Sequence, residues 1–168
     1  MFPSHDRCGA IRRMVENNAK ESDYDLFIRK GPANAIMDEL IRQGFQLKRE
    51  TENHREYFFM GDEKDTRIQL MHNWTFHTPE QLLNFFDFTL CQCALSGDQL
   101  YFGDYTLFDI AKRRIAISRI TFHHSSLRRM FKYGNQGYYA CAGTLQTFIN
   151  SVLDNPSEAR NGDFKYVD

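Results

Sequence analysis

The sequence predicts an α+β fold, a small mixed β-sheet flanked by helices and followed by a helical neck. Strand-like and helix-like periodicities alternate through the first hundred residues, and helical spacing takes over from about residue 105 onward. The 15 Phe and 8 Tyr fall largely in β-prone segments, which gives the sheet its core rings. At 168 residues the chain suits one domain with a helical appendage and can bury a core. We divide it into an α/β head over 1–104, a helical neck over 105–155 and a polar tail over 156–168.

Each element has a local reason. Residues 1 to 7 are polar and read as irregular, and a helix over 9–17 ends near Asn17-Asn18. A strand over 23–29 is closed by Lys30-Gly31-Pro32, with the proline placed for the first turn of the next helix. That helix, 33–43, carries Ile36, Met37, Leu40 and Ile41 at helical spacing and stops at Gly44. Strands over 45–51 and 55–60 flank the turn Glu52-Asn53-His54, and a charged loop, 61–65, leads to the alternating strand 66–71. Thr78-Pro79-Glu80 is a cap, opening a helix whose apolar face is Leu82, Leu83, Phe85 and Phe86. Residues 87–95 read as a strand with Cys91 and Cys93 on one face, and Ser96-Gly97-Asp98 turns it into 99–103 as a hairpin. Helices are expected near 106–117, 125–133 and 138–153.

Composition excludes several classes. A net charge of -1 argues against a general nucleic-acid coat, while basic clusters at 112–114 and 128–132 leave room for local patches. The four cysteines show neither C-x-x-C spacing nor a paired framework, which points to a reduced compartment and away from zinc. With no apolar run of about 18 residues and no signal-peptide core, the expectation is a cytosolic protein without a membrane partner.

The stretch Ser22-Asp23-Tyr24-Asp25-Leu26-Phe27-Ile28 carries the chemistry. Side chains alternate along a strand, so Asp23 and Asp25 share a face and their oxygens suit a hard cation, Mg²⁺ or Mn²⁺. Read alone, the same pair is a solvated strand start. Upstream, Gly9 lies at the mouth of the first helix, where unpaired N–H groups receive phosphate, and Arg12 and Arg13 add fixed positive charge. Arg128, Arg129 and Lys132 lie at i, i+1 and i+4 on one predicted helix, so two of them can face phosphate or an RNA backbone together. Their bland alternative is a solvated helix face. His123-His124 reads as a surface pair.

Taken in order, these pieces resemble the catalytic head of the nucleotidyltransferase superfamily, in the branch of CCA-adding enzymes and bacterial poly(A) polymerases. Cys8-Gly9-Ala10-Ile11-Arg12-Arg13 stands where that head reads G-G-x-V-R-D, and Asp23-Tyr24-Asp25 matches its metal-binding D-x-D. Phe85-Phe86-Asp87-Phe88-Thr89-Leu90-Cys91-Gln92 stands for R-R-D-F-T-I-N-A, and Asp109-Ile110 for the following D-L. Cys8 replaces a glycine, Phe85 and Phe86 replace two arginines, and of the E-D-x-x-R base template only Arg128 remains, so CCA addition is not expected. The closer likeness is to minimal stand-alone relatives of phages and large viruses, carried by Ile68-Gln69-Leu70, Phe86-Asp87, Arg129-Met130-Phe131-Lys132-Tyr133 and Gly137-Tyr138.

The resemblance implies a polymerase-β-like palm and metal-dependent transfer of a nucleoside monophosphate from an NTP to a hydroxyl acceptor such as RNA. Asp23 and Asp25 would hold the metal, with Gly9, Arg12, Arg13, Asp87, Arg128, Arg129 and Lys132 as nucleotide-binding residues, Asp87 toward the ribose. A third carboxylate, common in two-metal sites, is replaced by Gln69. The second expectation is a catalytically degenerate fold serving as a nucleotide-binding, nucleic-acid-binding or virion-associated module. A third uses the same site to modify protein or tRNA as a toxin.

Overall fold

The computed structural model describes residues 8–17, 24–28, 33–52, 54–59 and 66–156. They form the expected α+β fold in two compact units. The first runs to Leu83 and takes in Gln92–Phe102, and the second holds Asn84–Cys91 and the chain from Gly103.

In the first unit the order is α1 (Cys8–Val15), β1 (Tyr24–Ile28), α2 (Ala33–Arg42), β2 (Gln46–Glu50), β3 (His54–Phe59), β4 (Thr66–Thr75) and α3 (Pro79–Leu83), with the hairpin β5 (Cys93–Ser96) and β6 (Gln99–Phe102). A mixed four-stranded sheet runs β1-β4-β3-β2, with β1 parallel to β4 and the other pairs antiparallel. Ile36 and Leu40, one helical turn apart on α2, pack with Leu26, Ile28, Tyr57 and Leu70 from one face of the sheet. Gly44 ends α2 at φ 91°, where Phe45 N–H reaches back to Leu40 O at 3.0 Å. A Cβ there would also lie 3.2 Å from the Phe59 ring. The edge strand β2 is exposed throughout, and its Lys48 and Arg49 discourage pairing with another chain. Thr78 caps α3 as expected, its Oγ1 accepting from Gln81 N–H at 3.4 Å while Gln81 Oε1 accepts from His77 N–H at 2.9 Å.

Tyr57 carries a test of this core. The residue is fully buried and its hydroxyl has no hydrogen-bond partner among the described residues. Burial holds the phenol above its usual pKa of 10.0. Removing the hydroxyl relieves a desolvation cost, so Tyr57→Phe should raise stability by about 1 kcal/mol, read as a higher Tm. The unfolded phenol ionises near pH 10.0 while the folded one resists, so the wild type should lose stability against this variant as pH rises above that point. A lower Tm for the variant would show that the hydroxyl has a partner after all.

The second unit begins with a 3-10 turn at Thr89–Cys91 and continues with α4 (Thr106–Ala111), β7 (Arg114–Ile115), α5 (His123–Asn135), β8 (Tyr139–Ala140) and α6 (Ala142–Asp154). Strands β7 and β8 pair in parallel. Phe88, Leu90, Ile115, Met130 and Tyr133 are buried, and the Phe88 and Tyr133 rings meet edge to face at 5.7 Å.

Five expectations are corrected here. Residues 87–91 are not strand, because polar partners outside the segment claim its backbone: Thr89 N–H bonds Ala116 O at 3.0 Å and Ser118 N–H bonds Asp87 O at 2.8 Å. Cys91 therefore sits in the 3-10 turn, its thiol 2.8 Å from the Tyr133 hydroxyl, and only Cys93 belongs to a strand. The helix expected over 106–117 stops at Ala111, since Arg113 takes φ 52° and its carbonyl bonds Tyr139 N–H at 2.8 Å, starting the β7–β8 pair. The helix after Thr78 is only five residues long and leaves Phe85 and Phe86 beyond its end. His123 opens α5 as a buried residue, with Nε2 2.9 Å from Ser151 Oγ and its ring edge-on to Phe148. No helix among the described residues is long and apolar enough to cross a membrane.

Candidate functional site

The sheet register fixes what shares a face with Asp25. Directly paired residues in a sheet point the same way, and here Asp25 pairs with Gln69 on β4, Gln69 with Glu56 on β3, and Glu56 with Arg49 on β2. Leu26, Leu70 and Tyr57 belong to the adjacent rows and fill the core beneath α2, so the row Asp25, Gln69, Glu56, Arg49 lies on the opposite face. Asp25 and Gln69 are half-buried. Glu56 accepts from or shares a proton with His54 Nε2 at 3.0 Å, and the His54 ring is held from its other nitrogen by Thr51 Oγ1 at 3.1 Å. Asp23, the other half of the expected pair, lies outside the described residues.

Oxygen donors alone make up the row on β1, β4 and β3: two carboxylates and an amide. These are the donor types that hard divalent cations take, while among the described residues no three His, Cys, Asp or Glu side chains come together as a metal-holding group. Sequence reading passes over Glu56, because the register between β3 and β4 depends on the connection at 60–65 and cannot be counted from periodicity.

Helix α1 brings the expected phosphate residues into the same unit. It packs against β1 and β5, with Ile11 buried and Met14 exposed. Gly9 falls in its first turn. Arg12 is only 4% exposed and pairs with Glu16 at 2.9 Å, one turn on, so its charge has a local carboxylate. Arg13 is half-buried.

The remaining expected residues belong to the second unit. Asp87 is buried, accepts from Ser126 Oγ at 2.8 Å and is ion-paired with Arg129. Burial works against the Arg129 charge, and the Asp87 carboxylate, with Tyr133 and Cys91 adding to it, outweighs that, so the guanidinium pKa is pushed up. Arg128 and Lys132 are exposed on α5, and neither makes an ion pair with a described residue. The structure thus joins Asp87 to Arg129 and leaves Arg128 and Lys132 open to solvent.

A second polar node in this unit is structural. Asp109 is fully buried, accepts a hydrogen bond from Thr89 Oγ1 and binds Arg114 Nε at 2.5 Å, which pushes the Arg114 pKa up. Nearby, Cys141 is exposed at the start of α6. The Thr144 hydroxyl, 3.3 Å from Sγ, holds its thiol below the ordinary value, with the Thr144 and Gly143 amides and the Arg114 charge adding to the effect. Of Cys91, Cys93 and Cys141, the last should take up iodoacetamide first at neutral pH, at least about tenfold faster than the two buried thiols. Peptide mapping after brief alkylation reads the order, and equal rates would refute it.

Comparison with solved structures supports the fold. A CCA-adding enzyme in complex with ATP superposes with a TM-score of 0.69 at 16% identity, over 94% of this chain and 40% of that one. The Thermotoga maritima CCA-adding enzyme complexed with tRNA gives 0.69 at 16% identity, over 90% of this chain and 38% of that one. An apo form gives 0.66 at 14% identity, over 94% and 40%. The chain thus spans about two fifths of the length of the solved chains it matches, and the likeness is one of fold, a nucleotidyltransferase palm. A comparison with curated proteins returns no match. A family model matches residues 8–113, from α1 to the turn after α4, and on that match the chain belongs to the Gabija anti-defense 2 family.

Proposed function

We propose that this protein is a metal-dependent nucleotidyltransferase that moves a nucleoside monophosphate from an NTP to a hydroxyl acceptor, with RNA as the first acceptor to test. The observation that carries the reading is the placement of Asp25 on the face of a nucleotidyltransferase-type sheet opposite the α2 core, in one row with Gln69 and Glu56. Asp23 and Asp25 would hold Mg²⁺ or Mn²⁺, which supplies charge neutralisation at the phosphates and lowers the pKa of the acceptor hydroxyl. Gly9 and the start of α1 would receive the triphosphate, Arg13 would face its charge, and Arg128 and Lys132 would meet phosphate or an RNA backbone. Arg12 and Arg129 would act through their carboxylate partners, fixing α1 and Asp87 in place. The acceptor oxygen attacks the α-phosphorus, the bond from that phosphorus to the bridging oxygen breaks, pyrophosphate leaves, and the hydroxyl proton passes to solvent.

The family's description as anti-defense turns the search for an acceptor toward components of the Gabija system as well as RNA, and with it toward the cytoplasm of an infected host. A second reading, a degenerate fold that binds without turning over, is favoured by one observation. Two of the cations expected at phosphate, Arg12 and Arg129, are already neutralised by Glu16 and Asp87.

The test uses each NTP labelled at the α-phosphate, Mg²⁺ or Mn²⁺, and either an RNA pool or Gabija proteins. An Asp23→Ala/Asp25→Ala control runs alongside. Label on an acceptor that disappears in the control supports transfer. No label from any nucleotide on any acceptor favours the binding module.

A further inference from the structure

The second unit carries a charge balance opposite to that of the whole chain. Between Tyr105 and Leu153 seven Lys and Arg residues stand against one carboxylate, Asp109, which is fully buried, although the chain as a whole has a net charge of -1. The same span holds every aromatic ring that is more than half exposed among the described residues: Tyr105, Phe108, Phe122, Phe131 and Tyr139. Elsewhere the large exposed apolar side chains are aliphatic. Cations follow a phosphate backbone and open rings stack on bases, so the two together suit a single-stranded nucleic acid. We infer that the face formed by α4 and the β7–β8 pair binds single-stranded nucleic acid, with bases stacked on Phe108 and Tyr139 and phosphates met by Lys112 and Arg114. This deepens the reading above, resting on it for RNA as an acceptor while needing neither metal nor turnover.

Local contacts bring those four side chains onto one surface. Ile115 is buried, so its neighbour Arg114 turns outward from β7, and the parallel register sets Tyr139 of β8 beside it on the same face. The Arg114 guanidinium lies over the Phe108 ring at 5.2 Å. Lys112 follows Phe108 by one helical turn, its N–H bonded to Phe108 O at 2.9 Å. Phe108 and Tyr139 are 52% and 56% exposed, so each ring keeps surface for a further flat partner. Asp109 fixes Arg114 through Nε at 2.5 Å and leaves its terminal N–H groups without a hydrogen bond to a described residue. A guanidinium held at its inner nitrogen and stacked on a ring is already oriented for phosphate, and little side-chain freedom is lost on binding. Lys112 is exposed and makes no ion pair with a described residue. The exposed carboxylate nearest in sequence, Asp104, lies at the opposite end of α4 from Lys112. A duplex keeps its base faces inside its own stack, so a surface of this kind selects single strands.

The experiment reads fluorescence anisotropy of labelled, unstructured oligouridylate and oligothymidylate on the full-length protein, in EDTA and without NTP, with a melt of each variant. Wild type should bind one or both strands, the tighter naming the sugar, and should prefer them to duplex RNA by about tenfold or more. Phe108→Leu and Tyr139→Leu keep apolar bulk and lose the flat ring, so each should weaken binding by about tenfold at unchanged Tm, whereas Tyr139→Phe should bind as wild type does. Lys112→Ala should lower the slope of log affinity against log salt by about one. Wild-type affinity in both leucine variants, equal binding of duplex, or no single-strand binding by the wild type overturns the inference. So does a dimer that the leucine variants dissociate without loss of oligonucleotide binding, since it assigns the face to a second copy of the chain. If Phe108→Leu does not fold, Tyr139→Leu and Lys112→Ala give the same decision. Because no metal or NTP is present, failure of acceptor labelling in the transfer assay leaves this inference standing, and its own failure leaves transfer untouched.

Discussion

Asp25→Asn is expected to leave the protein folded and to reduce nucleotide transfer by at least about a thousandfold, roughly 4 kcal/mol of transition-state stabilisation. The substitution changes charge and almost nothing else. Asp25 lies on the sheet face away from the Leu26, Leu70 and Tyr57 core, so packing beneath α2 is untouched. Opposite it is already an amide, Gln69, and a second amide at 25 leaves adjacent strands with no negative charge in that row until Glu56. On the proposed reading a divalent ion would lose a carboxylate ligand, and the triphosphate would lose the ion. The measurement is the rate of acceptor labelling beside a thermal melt. Labelling within tenfold of wild type in a folded variant would sink the assignment of Asp25.

The largest expected effect on stability is at Arg114. Its guanidinium is the cation facing Asp109, which is fully buried and is otherwise bonded by the Thr89 hydroxyl. Arg114→Ala leaves that carboxylate buried and uncompensated, at a cost of about 3 kcal/mol. This is the low end for a broken buried pair, because a third of the Arg114 side chain is exposed and solvent already screens part of the attraction. Stacking of the guanidinium over the Phe108 ring at 5.2 Å is lost as well. For a chain of this length Tm should fall by about 6 to 12 °C. Adding Asp109→Asn should recover more than half of the loss, since it removes the stranded charge. A fall of less than about 2 °C for the single variant would mean that Asp109 is not held by Arg114 in solution.

The sequence was legible where local chemistry decides. The elements through Pro79 follow from spacing and punctuation, with Ile36 and Leu40 on one helical face, Gly44 as a stop and Thr78 as a cap. Legibility fails after Leu83, where distant polar partners decide. Asp87, Thr89 and Asp109 look like strand ends and caps in one dimension, yet all three are buried: Asp87 is answered by Ser126 and Arg129 from far along the chain, and Thr89 reaches across the chain to Asp109. His123 is hidden from a sequence reading for the same reason, since its partner Ser151 lies 28 residues on, in the next helix. In the site, the β1 position of Asp25 was readable from alternation. Its row was not, because the pairing of Gln69 with Glu56 is set by how β3 and β4 slide against each other.

The path of the chain has one more consequence. It leaves the first unit after Leu83, spends Asn84–Cys91 in the second, returns for the β5–β6 hairpin and departs again at Gly103. No single scission yields both units whole. A cut after Phe102 strips the second of Phe88 and Leu90 from its interior and of the hydroxyl that Asp109 accepts from, while a cut before Asn84 robs the first of a hairpin. Neither unit can therefore be expressed whole from one contiguous stretch of the chain.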